Sequence, residues 1–139
     1  MKRMLLLIVC AGTLVMMSCQ KDPAPSFIEK AKSMVLGKWM LDHALEEEYD
    51  GSNTLLFRED YTGTPADSVI FRNDNTSHSY SALNYDEESD YEILNDSTIR
   101  IEMEVWKIAT LTETKFDLYA EDREPGSNAR YVQRIFMKR

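Results

Sequence analysis

The chain has 139 residues, of which 16 are Lys or Arg, 24 are Asp or Glu and 43% are hydrophobic. This length allows one domain, and the apolar share is enough to close a core, so global disorder is excluded. The net charge is −8 and the basic residues are scattered singly. Nucleic acid is therefore excluded as a partner, because binding to a phosphate backbone draws its affinity from clustered Lys and Arg.

Residues 1–18 are predicted to be a signal peptide and not a part of the fold. Lys2 and Arg3 precede the uncharged stretch Met4–Met17. This stretch is shorter than the roughly 20 apolar residues that a helix needs to cross a bilayer. A short apolar run after a charged start is typical of a secretory signal.

The end of this segment, Met16-Met17-Ser18-Cys19, resembles the lipobox of bacterial lipoproteins. The resemblance implies that Cys19 is lipidated and becomes the first residue of the mature protein, which acyl chains then hold at a membrane. Gln20 is not the Asp that resembles an inner-membrane retention signal, so the outer membrane is favoured. Gln20-Lys21-Asp22 also resembles the short charged signal that sends some Bacteroidota lipoproteins to the cell surface.

The mature chain is acidic and keeps no free thiol. Cys10 leaves with the signal peptide and Cys19 carries lipid, so disulfides and thiolate metal sites are not expected. Removal of residues 1–18 leaves 14 Lys and Arg against 24 Asp and Glu. Residues 19–25, which contain Pro23 and Pro25, are predicted to be an extended tether between the lipid and a domain at 26–139.

A short helix is predicted to follow the tether. Ser26 and Glu29 have the spacing of a capping box. Apolar residues then recur at helical spacing, and Gly37 is expected to end the helix. The residues of this apolar face are Phe27, Ile28, Ala31, Met34 and Val35.

From Lys38 onward the pattern alternates with a period of two and is broken at short intervals by turn residues, which predicts an all-β domain. A clear example is Ile99–Met103, where apolar residues alternate with charged ones. The pattern contains about eight strands and fits an antiparallel meander closed into a barrel, since closure removes exposed edges. A sandwich is the alternative. In the last strand, Tyr131–Lys138, apolar residues occur on both faces, so the pattern does not decide which face points inward.

Two motifs in this region resemble a known family. Gly37-Lys38-Trp39 resembles the G-x-W motif of lipocalins, and the string Trp106–Leu118 resembles a passage of the small lipocalin-like lipoproteins of Bacteroidota. The resemblance implies that Trp39 closes the floor of an eight-stranded barrel beneath a stacked Arg. We assign that role to Arg134, with Arg130 as the alternative.

Aromatic residues of the barrel strands are the candidate lining of a ligand pocket, because Tyr and Trp combine an apolar body with a polar tip. The alternative is plain core packing, since a barrel of this size holds little more than its own side chains or one small ligand. The candidates are Phe57, Tyr80, Tyr91, Trp106 and Phe116.

The sequence shows no constellation for catalysis or metal binding. His43 and His78 are its only imidazoles, and no zinc-binding spacing surrounds them. The acidic stretches Glu46–Asp50 and Asp86–Asp90 contain oxygen ligands for calcium but lack the spacing of an EF-hand, so we interpret them as solvated loop tips. No enzymatic activity, metal or cofactor is predicted.

Two functions remain. The first is an envelope-anchored, lipocalin-like lipoprotein that binds a small apolar or amphipathic ligand. The second is a protein-binding inhibitor or interaction factor, whose acidic domain steers toward a cationic partner such as a lysozyme-like enzyme. A cavity of a few hundred cubic ångströms favours the first function, and a packed interior excludes it.

Overall fold

The computed structural model describes residues 26–81 and 86–139. The predictions for the signal peptide, Cys19 and the tether lie outside the described residues. The elements are one helix, α1 (Phe27–Val35), and the strands β1 (Gly37–Tyr49), β2 (Leu55–Thr62), β3 (Ser68–Phe71), β4 (Thr76–Tyr80), β5 (Asp86–Asn95), β6 (Thr98–Ile101), β7 (Glu104–Leu111), β8 (Lys115–Arg123) and β9 (Arg130–Lys138).

Eight of these strands close an antiparallel barrel, so the predicted all-β barrel with a short N-terminal helix is confirmed. One edge of β1 pairs with β3 through residues 37–40, and its other edge pairs with β9 through residues 40–49. From β3 to β9 the strands pair in chain order. Within the described residues, β2 pairs with β1 alone, along residues 43–49, and lies outside the ring.

Alternate residues of each strand fill the closed end of the barrel. Trp39, Ile99 and Phe116 are fully buried there, and Phe71 packs edge-on against Phe116 with ring centroids 5.7 Å apart. This packed layer forms because the period-two pattern turns one face of every strand toward the barrel axis.

The last strand shows which of its faces points inward. Met137 lies in the core and Ile135 packs against it. Val132, on the opposite face, is also buried, at 1% exposure. The sequence left this parity open because both faces of β9 are covered over part of its length.

The helix begins as predicted. The Ser26 hydroxyl accepts a hydrogen bond from the Glu29 backbone N–H at 3.2 Å, and the Glu29 carboxylate accepts one from the Ser26 N–H at 2.7 Å. The helix ends at Val35, two residues before the predicted end. Gly37 instead starts β1 with a φ of 106°, a conformation that favours glycine.

Helix α1 covers the closed end, and Trp39 joins it to the barrel. The indole Nε1 donates to the Val35 carbonyl at 2.7 Å, and the ring packs against Phe116 with centroids 5.4 Å apart. The guanidinium of Arg139 lies 4.0 Å from the indole centroid and donates to the carbonyls of Met34 and Leu36.

The assignment of Arg134 to this role is wrong. Arg134 is in phase with the outward residues of β9 and donates to Glu47 at 2.7 Å, whereas Arg139 follows β9 and turns beneath the barrel. Arg130, the alternative, lies over Tyr49, 4.3 Å from the ring centroid.

The two acidic stretches are not loop tips. Glu46–Glu48 lie in β1 and Asp86–Asp90 lie in β5. Glu47 is only 5% exposed and accepts hydrogen bonds from Arg134 and, at 3.0 Å, from Tyr49. Consecutive residues of a strand point to opposite faces of the sheet. About half of the charged residues in each stretch therefore lie on the inner face of the barrel wall.

Within residues 26–81 and 86–139, no helix has the length and apolar content that crossing a membrane requires.

Candidate functional site

A cavity of about 510 Å³ lies inside the barrel above the packed layer. This volume falls within the range of about 300–1,000 Å³ that is typical of small-molecule sites. Its buried wall is formed by apolar side chains in phase with the core, contributed by four strands on different sides of the barrel. These residues are Phe71, Trp106, Leu118, Ile135 and Met137.

Serines form a polar band across β3, β4 and β5. Ser77 and Ser89 are directly paired across β4 and β5, and the Ser77 hydroxyl donates to the Ser89 carbonyl at 3.3 Å. Ser68 and Ser77 are buried, while Ser79 is exposed. The cavity therefore offers small hydroxyl groups beside its apolar wall, and this combination suits an amphipathic molecule.

The open end of the cavity carries exposed aromatic and acidic residues, which we call the rim. Tyr61 comes from the flanking strand β2 and Tyr80 from the end of β4. Three carboxylates come from β5, from the turn between β6 and β7 and from the first residue of β7. The rim consists of Tyr61, Tyr80, Glu87, Glu102 and Glu104.

A hydrogen-bonded cluster fixes Tyr61 at the rim. Asp67 is 3% exposed, and its Oδ2 accepts from the Tyr61 hydroxyl at 2.9 Å and from the backbone N–H and hydroxyl of Thr64 at 2.7 Å each. The hydrogen bond to the Asp67 carboxylate raises the pKa of Tyr61, with a smaller contribution from burial. The hydrogen bond to Asp67 also fixes the Tyr61 ring beside the opening.

The turn between β6 and β7 places two more groups there. Glu102 adopts a positive φ of 54° and accepts a hydrogen bond from the Ser89 hydroxyl at 3.0 Å. The alternating pattern over Ile99–Met103 predicted a strand, but β6 ends at Ile101. Met103 lies in the turn that follows and is 94% exposed. A flexible apolar side chain thus stands free at the mouth of the cavity.

The histidines lie away from the cavity. His43 stacks on Phe136 with ring centroids 4.0 Å apart, and His78 contacts Asp86 and Glu88 on the outer face of the sheet. In the part of the chain that the structure describes, no three His, Cys, Asp or Glu side chains are grouped closely enough to hold a metal ion.

A second depression, of about 870 Å³, lies outside the barrel between α1 and strands β5 and β6. Its two cations have partners: Lys32 donates to Asn75 at 2.7 Å, and Arg100 pairs with Glu92. Ile28, Tyr91, Ile93 and Met103 are the apolar residues of this groove, and they lie among charged groups. The barrel cavity is smaller, but it alone of the two combines an apolar wall with a defined rim, and we take it as the candidate site.

Two of the five predicted pocket residues line the cavity, namely Trp106 and Tyr80. Phe116 lies in the packed layer below it, fully buried against Trp39. Tyr91 packs edge-on against Phe71 and donates its hydroxyl to the Arg72 carbonyl at 2.8 Å. Phe57 lies on the flanking strand β2 and is 47% exposed.

The carboxylates of the rim were missed by the sequence analysis, although the pattern contained a signal for two of them. Glu104 is in phase with Trp106 on β7, and Glu87 is in phase with Ser89 and Tyr91 on β5. Strict alternation therefore places both carboxylates on the inner face. Asp67 has no such signal, because the loop before β3 positions it.

Comparison of the chain with protein-family models and with curated proteins finds no match.

Proposed function

We propose that this protein is an envelope-anchored, lipocalin-like lipoprotein that binds a small apolar or amphipathic ligand without chemical change. The observation that carries the proposal is the cavity of about 510 Å³ with an apolar wall and a tyrosine-bearing rim. A barrel of eight strands has room for one small ligand at most, which agrees with this volume.

The closed end of the barrel supports this proposal. Trp39, Phe116 and Val35 are fully buried, and α1 lies beneath them. A ligand therefore enters from the rim, where Tyr61, Tyr80 and Met103 provide exposed apolar surface. The packed layer gives the cavity a rigid base, so that little order has to be created when a ligand binds.

Native mass spectrometry of the protein purified from its own cell envelope tests the proposal. We expect a fraction of the protein to carry one small molecule that organic solvent releases. Protein that is empty in every preparation, and that takes up no apolar compound on titration, would contradict ligand binding.

Membrane attachment through Cys19 is supported by the lipobox-like segment. We expect the mature protein to begin at Cys19 with acyl chains attached, and to fractionate with the outer membrane. Intact-mass analysis of wild type and of Cys19→Ala checks this. A wild-type mass without acyl groups would contradict the anchor.

A second candidate function, an interaction factor for a cationic protein such as a lysozyme-like enzyme, is favoured by one surface feature. Strand β2 has one hydrogen-bonded strand neighbour within the described residues and exposes Leu55, Leu56 and Phe57 beside acidic groups. Binding of a basic protein that weakens as salt is added supports this function, whereas salt-independent binding contradicts electrostatic steering.

A further inference from the structure

The two faces of the barrel wall differ in charge. Strand register places the lysines and arginines of the described strands on the outer face, in phase with residues such as Val105 and Phe136 and out of phase with the core. These residues are Lys38, Arg58, Arg100, Lys107, Lys115, Arg123, Arg130, Arg134 and Lys138.

The inner face of the same strands carries carboxylates. Glu87 pairs across the strands with Ser79, and Glu104 with Ile101, both of which line the cavity. Above the cavity, Glu46 and Glu48 are in phase with Ala44, whose partner is the cavity residue Ile135. Glu59 and Asp122 lie at equivalent positions on β2 and β8.

Several outer carboxylates have cationic partners, whereas the rim carboxylates Glu87 and Glu104 have none among the described residues. Outside the barrel, Glu92 pairs with Arg100, and Glu88 with Arg72 at 2.8 Å. No ion pair within residues 26–81 and 86–139 includes Glu87 or Glu104, and no Lys, Arg or His is among the described residues that line the cavity. The negative potential of the inner wall is therefore uncompensated where a ligand enters.

We propose that the cavity selects cationic amphiphiles, that is, molecules with an apolar body and a protonated amine or quaternary ammonium head. This inference rests on the proposed function and names its ligand class. The apolar body lies against Trp106, Leu118 and Met137, and the head lies among the rim carboxylates Glu87 and Glu104.

Charge and ring chemistry both favour this orientation. A cation at the rim is attracted by several carboxylates that converge on one opening and have no cation beside them, and this attraction weakens as salt is added. The face of Tyr61 adds cation–π attraction for the same head group, whereas the ring of Tyr80 stacks on His78 at the outer side of the opening. An anionic head meets carboxylates without a neighbouring cation and is repelled.

The test uses three probes that share one chain and differ in the head group: decylammonium, decanol and decanoate. Each is titrated below its aggregation concentration into the full-length mature protein at pH 7 and low salt, with heat of binding as the readout. We expect decylammonium to bind at least about tenfold more tightly than decanol, and decanoate to bind more weakly than decanol.

Paired variants locate the preference. Glu87→Gln with Glu104→Gln removes two rim charges, and we expect it to weaken decylammonium binding about tenfold while decanol binding stays unchanged. Glu113→Gln with Glu124→Gln removes the same charge from loops outside the cavity and is the matched control. Thermal melting of both variants checks that the fold is retained.

The outcomes separate this inference from the proposed function. Decanoate binding as tightly as decylammonium, or an unchanged preference in the Glu87 and Glu104 variant, overturns the cationic selectivity while ligand binding stands. If none of the three probes binds, both proposals are contradicted. A preference that is lost in the rim variant and kept in the control supports both.

Discussion

Trp39 shows how one residue joins the helix, the core and the end of the chain. Its Nε1 donates to Val35, its ring packs on Phe116, and the guanidinium of Arg139 lies over its other side. The resemblance to lipocalins indicated the Trp and the need for an Arg. It did not identify which Arg, because that depends on where the chain turns after β9 and not on the alternation within the strand.

Replacement of Arg139 tests this arrangement. Arg139→Ala removes a cation–π contact and the hydrogen bonds to Met34 and Leu36. We expect the free energy of unfolding to fall by about 1–2 kcal/mol. Urea denaturation measures the change. Lys30→Ala, on the exposed side of α1, is the control and should differ from wild type by less than about 0.5 kcal/mol; equal losses in the two variants would contradict a specific role for Arg139.

Glu47 is the buried charge whose environment predicts a pH dependence. Burial alone would raise its pKa, but hydrogen bonds from Arg134 and Tyr49 and the nearby charge of Arg58 outweigh it and hold the pKa below the ordinary 4.5. The unfolded chain therefore takes up a proton at Glu47 at a higher pH than the folded chain does. The stability that Glu47 contributes is full at neutral pH and is lost as the pH falls through the folded-state pKa.

Comparison of wild type with Glu47→Gln measures this contribution. At pH 7 we expect the variant to lose about 1–2 kcal/mol of unfolding free energy, a modest value because Arg134 is partly exposed and screened by water. The difference between the two proteins should shrink as the pH is lowered below about 4.5, where the carboxylate becomes protonated. Glu48→Gln is the control on the same strand, and a difference that is constant with pH would contradict the assignment.

Short sequence patterns predicted those features of the helix and strands that depend on residues close together in the chain. The capping box of α1 and the alternation that buries Ile99 and Trp106 are encoded over a few residues. The departure of β2 from the ring is not encoded in this way, since β2 and β3 share one edge of β1. That arrangement depends on the connection between β2 and β3.

Gly63 is the residue of this connection that tolerates no side chain. Its N–H donates to the Asp42 carbonyl at 2.8 Å, and a Cβ there would lie 2.1 Å from the Leu41 carbonyl oxygen. We expect Gly63→Ala to lower the unfolding free energy by about 3 kcal/mol, because backbone atoms must move apart. Gly51→Ala, whose Cβ would meet its nearest atom at 3.9 Å, is the control. Equal stability of the two variants in urea would contradict this reading.

The whole molecule is a barrel whose interior changes from packed to hollow along its axis. Closure joins β1 to β9, which are about ninety residues apart in the chain and whose pairing no local pattern specifies. The sequence predicted the barrel from the number of short strands. It did not predict the size of the cavity, because that depends on which side chains of the other strands lie opposite small residues such as Ser77 and Ser79 of β4.

A side chain that fills the cavity tests whether a ligand binds inside the barrel. Ser79 lines the cavity, so Ser79→Phe is expected to occupy part of it, while Ser52→Phe places the same ring in an exposed turn. In calorimetric titrations with decanol, we expect wild type and Ser52→Phe to bind one molecule and Ser79→Phe to bind at least about tenfold more weakly with an unchanged melting temperature. Absence of binding to wild type, or equal binding by all three proteins, would contradict a ligand site inside the barrel.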